Sequence, residues 1–133
     1  MRIQCLPAFK KEFEKLRAVK AYRGLESDII GYFFNKTAEE LMSGTRLNLS
    51  NDVPYIKKRI SGSGGYRAYF LVIIKNDRLI LMFVHPKTGP YGASNIDDDY
   101  KAFLYKEVLN AVESNELIDL EIDESGNHLV FMP

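Results

Sequence analysis

The residues of this chain that could do chemistry are basic, and they stand near the ends of candidate β-strands in its middle. Arginine offers phosphate two parallel N–H groups, so arginines near strand ends suit a phosphate site. Histidine, with an ordinary pKa near ~6.5, can move a proton at neutral pH. We therefore predict a site for phosphate groups, without a cofactor, formed by Lys57, Arg59, Arg67, His85 and Lys87.

The charge of the chain as a whole is balanced, with 18 Lys and Arg against 18 Asp and Glu. A global basic field of the kind that attracts nucleic acid is therefore absent, and any basic patch must be local. The length of 133 residues and the hydrophobic share of 46% predict a single domain, residues 1–133, that buries one core.

Composition also bears on location and on metals. Cys5 is the only cysteine, which excludes an internal disulfide and fits a reducing compartment. No apolar run approaches the ~20 residues of a membrane helix, and the N-terminus lacks the apolar segment of a signal peptide. We therefore expect a cytoplasmic protein that does not act at a membrane. His85, His128 and Cys5 do not have metal-ligand spacing, so we predict no metal site.

The elements that position the basic residues begin with an N-terminal helical region. Apolar residues from Phe9 to Leu16 recur with the period of one helix face, and Pro7 suits a first turn. A second apolar stripe starts after Gly24. Thr37 and Glu40 form a capping box, which indicates a third turn or an extension of the second helix. The predicted elements are a strand at 3–6, a helix at 7–19, a second helix on the stripe of Leu25, Ile29, Tyr32 and Phe33, and a third turn or a helix extension at 37–43, with Gly44 as a C-cap candidate.

The remainder of the chain is rich in β-branched and aromatic residues, with one further helix. Two long strands are joined by Lys75-Asn76-Asp77, which predicts a hairpin. Three consecutive aspartates at 97–99 place negative charge where a helix N-terminus favours it. The predicted elements are strands at 46–49, 55–60, 66–74 and 78–85, a loop at 88–96, a helix at 97–114, and a C-terminal hairpin of 118–122 with 128–131.

The two long strands are apolar on both faces in their middle, so we expect the sheet to be covered on both sides there. An antiparallel hairpin brings Arg67 near His85 and Lys87. A two-residue turn at 76–77 would pair Arg67 with Pro86 and place it on the opposite face from His85. A three-residue loop or a bulge would instead place Arg67 and His85 on one face. The sequence leaves both registers open.

The order of these parts resembles the RelE/HigB group of bacterial toxin–antitoxin systems, in the RelE/ParE superfamily. The resemblance covers roughly residues 1–87 and, more loosely, the helix at 97–114. It implies an α+β fold with N-terminal helices packed on an antiparallel sheet, to which this chain adds a C-terminal helix and hairpin. The segments that carry it are Leu6–Leu16, Lys57-x-Arg59, Ser63-Gly64-Gly65-Tyr66-Arg67 and the strand ending at Lys87.

Many toxins of this family cleave messenger RNA in the ribosomal A site without a metal, and a cognate antitoxin protein wraps and inhibits them. The implied reaction is attack by a ribose 2′-OH on its own phosphate, which needs a base, a cation for the phosphoryl oxygens and an acid for the leaving 5′ oxygen. His85 is added here from its spacing, as a proton-transfer group. By the family's motifs, Lys57 and Arg59 are strand cations, Arg67 is the phosphate clamp and Lys87 is the strand-end cation.

The neutral charge and the added hairpin favour a second interpretation, a non-catalytic protein-binding module of the same fold, as in the related ParE group. That interpretation gains if the hairpin at 118–131 covers the basic residues. Members of the family often carry a tyrosine shortly after the last strand, and Tyr91 is the nearest match here. Ser61–Gly65 lacks the lysine-serine/threonine ending of a P-loop and predicts a hairpin loop. A third interpretation is an α+β protein unrelated to toxins.

Overall fold

The computed structural model of the protein describes residues 1–60, 65–93 and 95–132. The predicted loop at 61–65 lies almost wholly outside the described residues. Within them the chain forms strands and α-helices in this order: β1 (Arg2–Cys5), α1 (Pro7–Arg17), α2 (Leu25–Phe33), α3 (Ala38–Leu41), β2 (Thr45–Arg46), β3 (Tyr55–Ile60), β4 (Tyr66–Ile73), β5 (Arg78–Pro86), α4 (Asp98–Ser114), β6 (Ile118–Ile122) and β7 (Leu129–Met132).

The first helix forms because its apolar side chains recur on one face and its first residue is a proline, whose missing N–H costs nothing there. Phe9, Phe13 and Leu16 are fully buried. The helix ends at Arg17, two residues before the predicted end. Two basic residues in its last turn, Lys15 and Arg17, complement the negative end of the helix dipole.

The third helix begins with the predicted capping box. Thr37 Oγ1 accepts from the amide of Glu40 at 3.2 Å, and Glu40 Oε1 accepts from the amide of Thr37 at 3.1 Å. The helix is a single turn ending at Leu41, so the prediction that Gly44 caps it was wrong. Gly44 instead has a φ of +125° and passes close to the backbone of Lys57 on β3.

In the described part of the chain, seven strands form one open sheet in the order β2-β3-β4-β5-β1-β6-β7. The expectation of an antiparallel sheet was wrong at one pairing, because β1 runs parallel to β5, with Ile3 opposite Leu79. A long connection allows a parallel pair, whereas the hairpin connections of β3 with β4, β4 with β5 and β6 with β7 impose antiparallel ones. β1 and β6, which are far apart in sequence, also pair antiparallel. The fold class is therefore α+β with a mixed sheet.

The C-terminal hairpin extends the sheet sideways rather than covering it. β6 pairs with β1, with Gln4 opposite Asp119, and β7 pairs with β6 at the edge. β3 and β4, which carry the predicted strand cations, lie on the other side of β5 and β1 in the strand order. The hairpin at 118–131 thus does not lie over the basic residues, which removes the support that such a cover would have given to the binding-module interpretation.

Helices cover both faces of the sheet, as the apolar strands predict. One face packs against α1 and α2, whose Phe13 and Phe33 lie in one buried cluster with Phe70 of β4. The other face packs against α4, whose Leu104 and Val108 lie in a second buried cluster with strand residues. Each long strand is therefore buried on both sides, which explains its nearly continuous apolar sequence.

The hairpin of β4 and β5 has a register that decides which residues face each other. Ile73 pairs with Arg78 at its closed end, across the four residues 74–77. A bulge then inserts Met82 as an extra residue in β5 and shifts the pairing by one. Arg67 consequently lies opposite His85, on the same face of the sheet. This is the register that we expected if the hairpin contained a bulge.

Candidate functional site

Three basic side chains stand in a row across three neighbouring strands. Arg59 of β3 is the register partner of Arg67 on β4, and Arg67 is the partner of His85 on β5. Directly opposed residues have Cβ atoms about 4.5–5.5 Å apart and point to the same face of the sheet. We call Arg59, Arg67 and His85 the basic row. The predicted site residues of these three strands therefore come together on the face that α4 partly covers.

A second row lies beside the first, further from the strand ends. Lys57 of β3 is opposite Tyr69 of β4, and Tyr69 is opposite Phe83 of β5. Lys57 is two residues from Arg59 and so shares its face of the strand. Every ion pair found among the described residues involves other side chains, so Lys57, Arg59 and Arg67 have no carboxylate partner there.

Arg67 is more buried than a strand-end cation is expected to be, with only 6% of its surface exposed. Its Nη1 donates to the backbone oxygen of Tyr66 at 3.2 Å. Burial lowers the pKa of the guanidinium, and the charge of Arg59 lowers it further. A buried cation without a counter-ion is costly, and an arriving anion would remove that cost.

Lys57 is partly buried and lies among other cations. Burial lowers the pKa of its ammonium group, and the charges of Lys101, Arg67 and Lys87 lower it further, in that order. A lowered pKa gives a larger fraction of neutral amine at neutral pH, which is the form that can accept a proton. Among the lysines of the site, Lys57 is therefore suited to act as a base.

The hydrogen bonds around His85 require a definite number of protons. Asn95 Oδ1 accepts from the amide of Ile96 at 3.0 Å and from the hydroxyl of Tyr69 at 2.7 Å. Since the one proton of Tyr69 is used there, its oxygen must accept from His85 Nε2, which is 3.2 Å away. His85 Nδ1 lies 3.1 Å from the carbonyl oxygen of Pro86, which can only accept. Every contact is a hydrogen bond only when both ring nitrogens carry protons.

The electrostatic surroundings of His85 act against that charged form. Burial lowers the pKa of His85 most, the hydrogen bond to the Pro86 carbonyl raises it, and the charges of Lys57 and Arg67 lower it further. The smallest contribution, a hydrogen bond with the Ala93 backbone, raises the pKa. An anion placed beside these cations would cancel their effect and raise the pKa of the imidazole. The arrangement therefore allows His85 to gain a proton when a phosphate group is bound.

Lys87 and Tyr91 differ in how well they fit the predicted site. Lys87 is exposed just beyond the end of β5, where its backbone amide donates to the carbonyl oxygen of Gly65 at 2.9 Å. Its charge contributes to lowering the pKa of Lys57. Tyr91 instead packs on Tyr22 of the α1–α2 connection, with ring centroids 6.4 Å apart. Tyr91 is thus on the side of the first buried cluster, and the tyrosine that lies among the cations is Tyr69.

Part of the site is covered by the chain between β5 and α4. Tyr100, in the first turn of α4, packs its ring edge-on against Phe83 at 5.1 Å, and Asn95 holds Tyr69. Tyr69 is completely buried and His85 is 5% exposed, whereas Arg59 is open to solvent. The site is therefore accessible at its β3 end and closed at its β5 end.

Sequence reasoning missed Tyr69, Asn95 and Lys101. Tyr69 had a signal, because it alternates with Arg67 on one face of the same strand. Asn95 and Lys101 had none, since their positions depend on how the 88–96 loop and α4 return to the sheet.

Within the described ranges, no three His, Cys, Asp or Glu side chains gather as a metal site would need. Nor does any helix described there have the length and apolar character to cross a membrane.

Comparisons with models of protein families, with curated proteins and with solved structures gave no match to this chain.

Proposed function

We propose that the protein is a metal-independent endoribonuclease of the RelE/HigB kind, the toxin component of a type II toxin–antitoxin system. The observation that supports this most is the pairing of Arg67 with His85, because it puts a phosphate-binding group beside a proton-transfer group. Arg59 and Lys57 add positive charge on the same face. This combination suits a phosphodiester whose charge increases during reaction.

The proposed reaction assigns a step to each of these groups. The neutral amine of Lys57 takes the proton of a ribose 2′-OH, and the oxygen attacks the adjacent phosphorus. Arg59 and Arg67 hold the non-bridging oxygens of the phosphate. The bond from phosphorus to the 5′ oxygen breaks, and that oxygen takes a proton from the His85 imidazolium. The products are a 2′,3′-cyclic phosphate and a 5′-hydroxyl.

The proposed partners are messenger RNA on the ribosome and a cognate antitoxin. The zero net charge of the chain gives no general attraction to free RNA, so we infer that the ribosome presents the substrate. Because His85 is nearly buried, the cover formed by Asn95 and Tyr100 must move before a leaving oxygen reaches it. Contact with the ribosome is the proposed cause of that movement.

The burial of His85 and Tyr69 also favours a second candidate function, a protein-binding module without catalysis. In that case the exposed cations Arg59 and Lys87, together with the partly buried Lys57, would contact an acidic partner. The two candidates differ in whether RNA is cut and in whether the buried pair matters.

The test of the proposed function is expression of the chain alone in a bacterial host, followed by growth and by the integrity of messenger RNA. Growth arrest with rapid mRNA cleavage, lost in Arg67→Ala, is the expected result. With purified protein and ribosomes, cleavage should persist in EDTA and should stop when the 2′-OH at the cut site is replaced by hydrogen. Normal growth with intact mRNA would overturn the proposal in favour of the binding module.

A further inference from the structure

A concave surface lies beside Lys57, on the face of the sheet that packs against α4. It has a volume of about 360 Å³. Cavities that bind small molecules range upward from about 300 Å³, so this one suits a small, flat group. Its walls are formed by Leu47 and Asn48 after β2, by Tyr55 on β3, and by Asp98, Lys101, Ala102 and Tyr105 on α4. The Asp98 carboxylate lies 3.5 Å from the Lys101 ammonium group. We call it the side pocket.

The walls of the side pocket offer mainly aromatic and apolar surface. The rings of Tyr55 and Tyr105 are stacked, with centroids 5.3 Å apart and planes 10° apart. The amide of Asn48 is already used, because its Oδ1 accepts from the Tyr55 amide at 2.9 Å and its Nδ2 donates to Val53 O at 3.0 Å. Tyr55 is only 3% exposed, so a ligand would be held here by packing against the half-buried Tyr105 and the apolar wall more than by hydrogen bonds.

The side pocket is joined to the cations of the site through two residues. Tyr55 and Lys57 lie on the same face of β3, two residues and about 6.6 Å apart along the strand. The Tyr55 hydroxyl donates to the backbone oxygen of Lys101 at 3.0 Å, which fixes the start of α4 to this strand. Lys101 thus borders both the side pocket and the surroundings of Lys57.

We propose that the side pocket holds a nucleobase of the RNA strand whose phosphate lies on the basic row. This inference rests on the proposed function. A nucleotide separates a flat aromatic base from an anionic phosphate by one ribose, and here an aromatic pocket and a group of cations stand next to each other. Sites for single-stranded nucleic acid combine these two surfaces, and stacking tolerates any base. The side pocket therefore contributes affinity and position rather than a strict sequence preference.

The experiment measures binding of two fluorescent 2′-O-methyl hexanucleotides, which cannot be cleaved because the 2′ oxygen is blocked. One carries adenine at every position and the other is fully abasic. The variants are Tyr105→Leu, which removes the ring, and Tyr105→Phe, which keeps it. Ala102→Leu, which fills the pocket from an exposed position, replaces Tyr105→Leu if that variant does not fold. Leu109→Ala, at an exposed position on α4 outside the pocket, is the control.

For the wild-type protein we expect the adenine oligonucleotide to bind at least tenfold more tightly than the abasic one. Tyr105→Leu and Ala102→Leu should remove that difference, while Tyr105→Phe and Leu109→Ala should keep it. If the adenine and abasic oligonucleotides bind equally, and Arg67→Ala abolishes the binding of both, the side pocket does not hold a nucleobase. The proposed function would be unaffected by that result. No binding of either oligonucleotide at low salt would overturn the proposed role of the side pocket, and cleavage on ribosomes would then decide the proposed function by itself.

Discussion

Arg67 and His85 face each other directly across β4 and β5, and both are almost completely buried. Like charges in opposed positions repel, and burial strengthens the repulsion. The pair is least costly when His85 is neutral, yet the hydrogen bonds of His85 are complete only when it is charged. The folded protein by itself cannot combine low repulsion between the two side chains with a complete set of hydrogen bonds at His85. An anion bound beside Arg67 makes the two compatible, because it offsets the repulsion when His85 is charged.

We expect Arg67→Met to abolish RNA cleavage while raising the free energy of unfolding by about 1 kcal/mol. Methionine keeps the length of the stem but removes a buried charge that has no carboxylate partner among the described residues. Urea unfolding measures the stability, and a gel assay measures cleavage. A variant that is less stable than the wild type would contradict the idea that Arg67 is kept for function at the expense of stability.

Arg78→Met is the matched control for this variant. Arg78 lies on the neighbouring β5, but its Nε donates to Gln4 Oε1 at 3.1 Å, and the Gln4 side chain is almost fully buried. Its removal leaves that oxygen without a partner, which should lower the free energy of unfolding by about 1–2 kcal/mol. The folded fraction of the Arg78→Met variant should cleave RNA at the wild-type rate.

The stability of the protein should depend on pH through His85. Because its pKa in the folded state is below 6.5, the unfolded chain binds a proton between the two values while the folded protein does not. The free energy of unfolding should therefore fall as pH decreases through that window, and should be constant above it as far as His85 is concerned. Urea unfolding at several pH values, compared between wild type and His85→Gln, measures this contribution.

The same pKa can be measured directly by NMR in a His128→Gln background, which leaves His85 as the only histidine. We expect a titration midpoint below 6.5 in the free protein. Addition of the uncleavable adenine hexanucleotide should raise the midpoint, because its phosphates offset the charges of Lys57 and Arg67. A midpoint that does not move with saturating oligonucleotide would show that the phosphate does not lie at the basic row.

Tyr69→Phe should lower the free energy of unfolding by about 1–2 kcal/mol, because it takes a hydrogen-bond partner from both His85 and Asn95. Amide exchange at Ile96 should become faster, since Asn95 then loses its anchor on the sheet. Tyr100→Phe is the control, because phenylalanine keeps the edge-on ring contact with Phe83. If both variants behave alike, the hydroxyl of Tyr69 does not hold this segment.

Gly44→Ala should cost about 2 kcal/mol and displace β3 at Lys57. An added Cβ would lie 2.7 Å from the Lys57 carbonyl oxygen, and the φ of +125° is unfavourable for alanine. Gly31→Ala, in the interior of α2, has nothing within 4 Å of the new Cβ and should stabilise by about 0.5–1 kcal/mol. Thermal unfolding distinguishes the two, and equal effects would mean that the approach at Gly44 is not tight.

Much of the fold could be predicted from the sequence because the apolar periodicity of α1, α4 and the long strands is strong and local. The register of β4 and β5 could not be predicted, since it depends on the extra residue Met82, which looks like any other strand residue. The parallel pairing of β1 was missed because it joins segments that are far apart in sequence.

The candidate site was predicted in part for the same reason. Lys57, Arg59, Arg67 and His85 converge because alternation along strands determines which side chains share a face, and this can be read locally. That Arg67 would be buried, and that Asn95 would bond to Tyr69, depended on the path of the 88–96 segment over the sheet. Neither follows from the spacing of residues along a strand.

The position of β1 between β5 and β6 has a consequence for how the chain folds. During synthesis β1 leaves the ribosome well before either of its neighbours in the sheet. Its backbone N–H and C=O groups therefore have no strand partner while α1 to β4 emerge. Pairings between segments distant in sequence form late, because the intervening loop must be closed first. We therefore expect the hairpins to form early and the insertion of β1 to be the slow step. Until it occurs, the unpaired backbone of β1 is available to chaperones or to other chains.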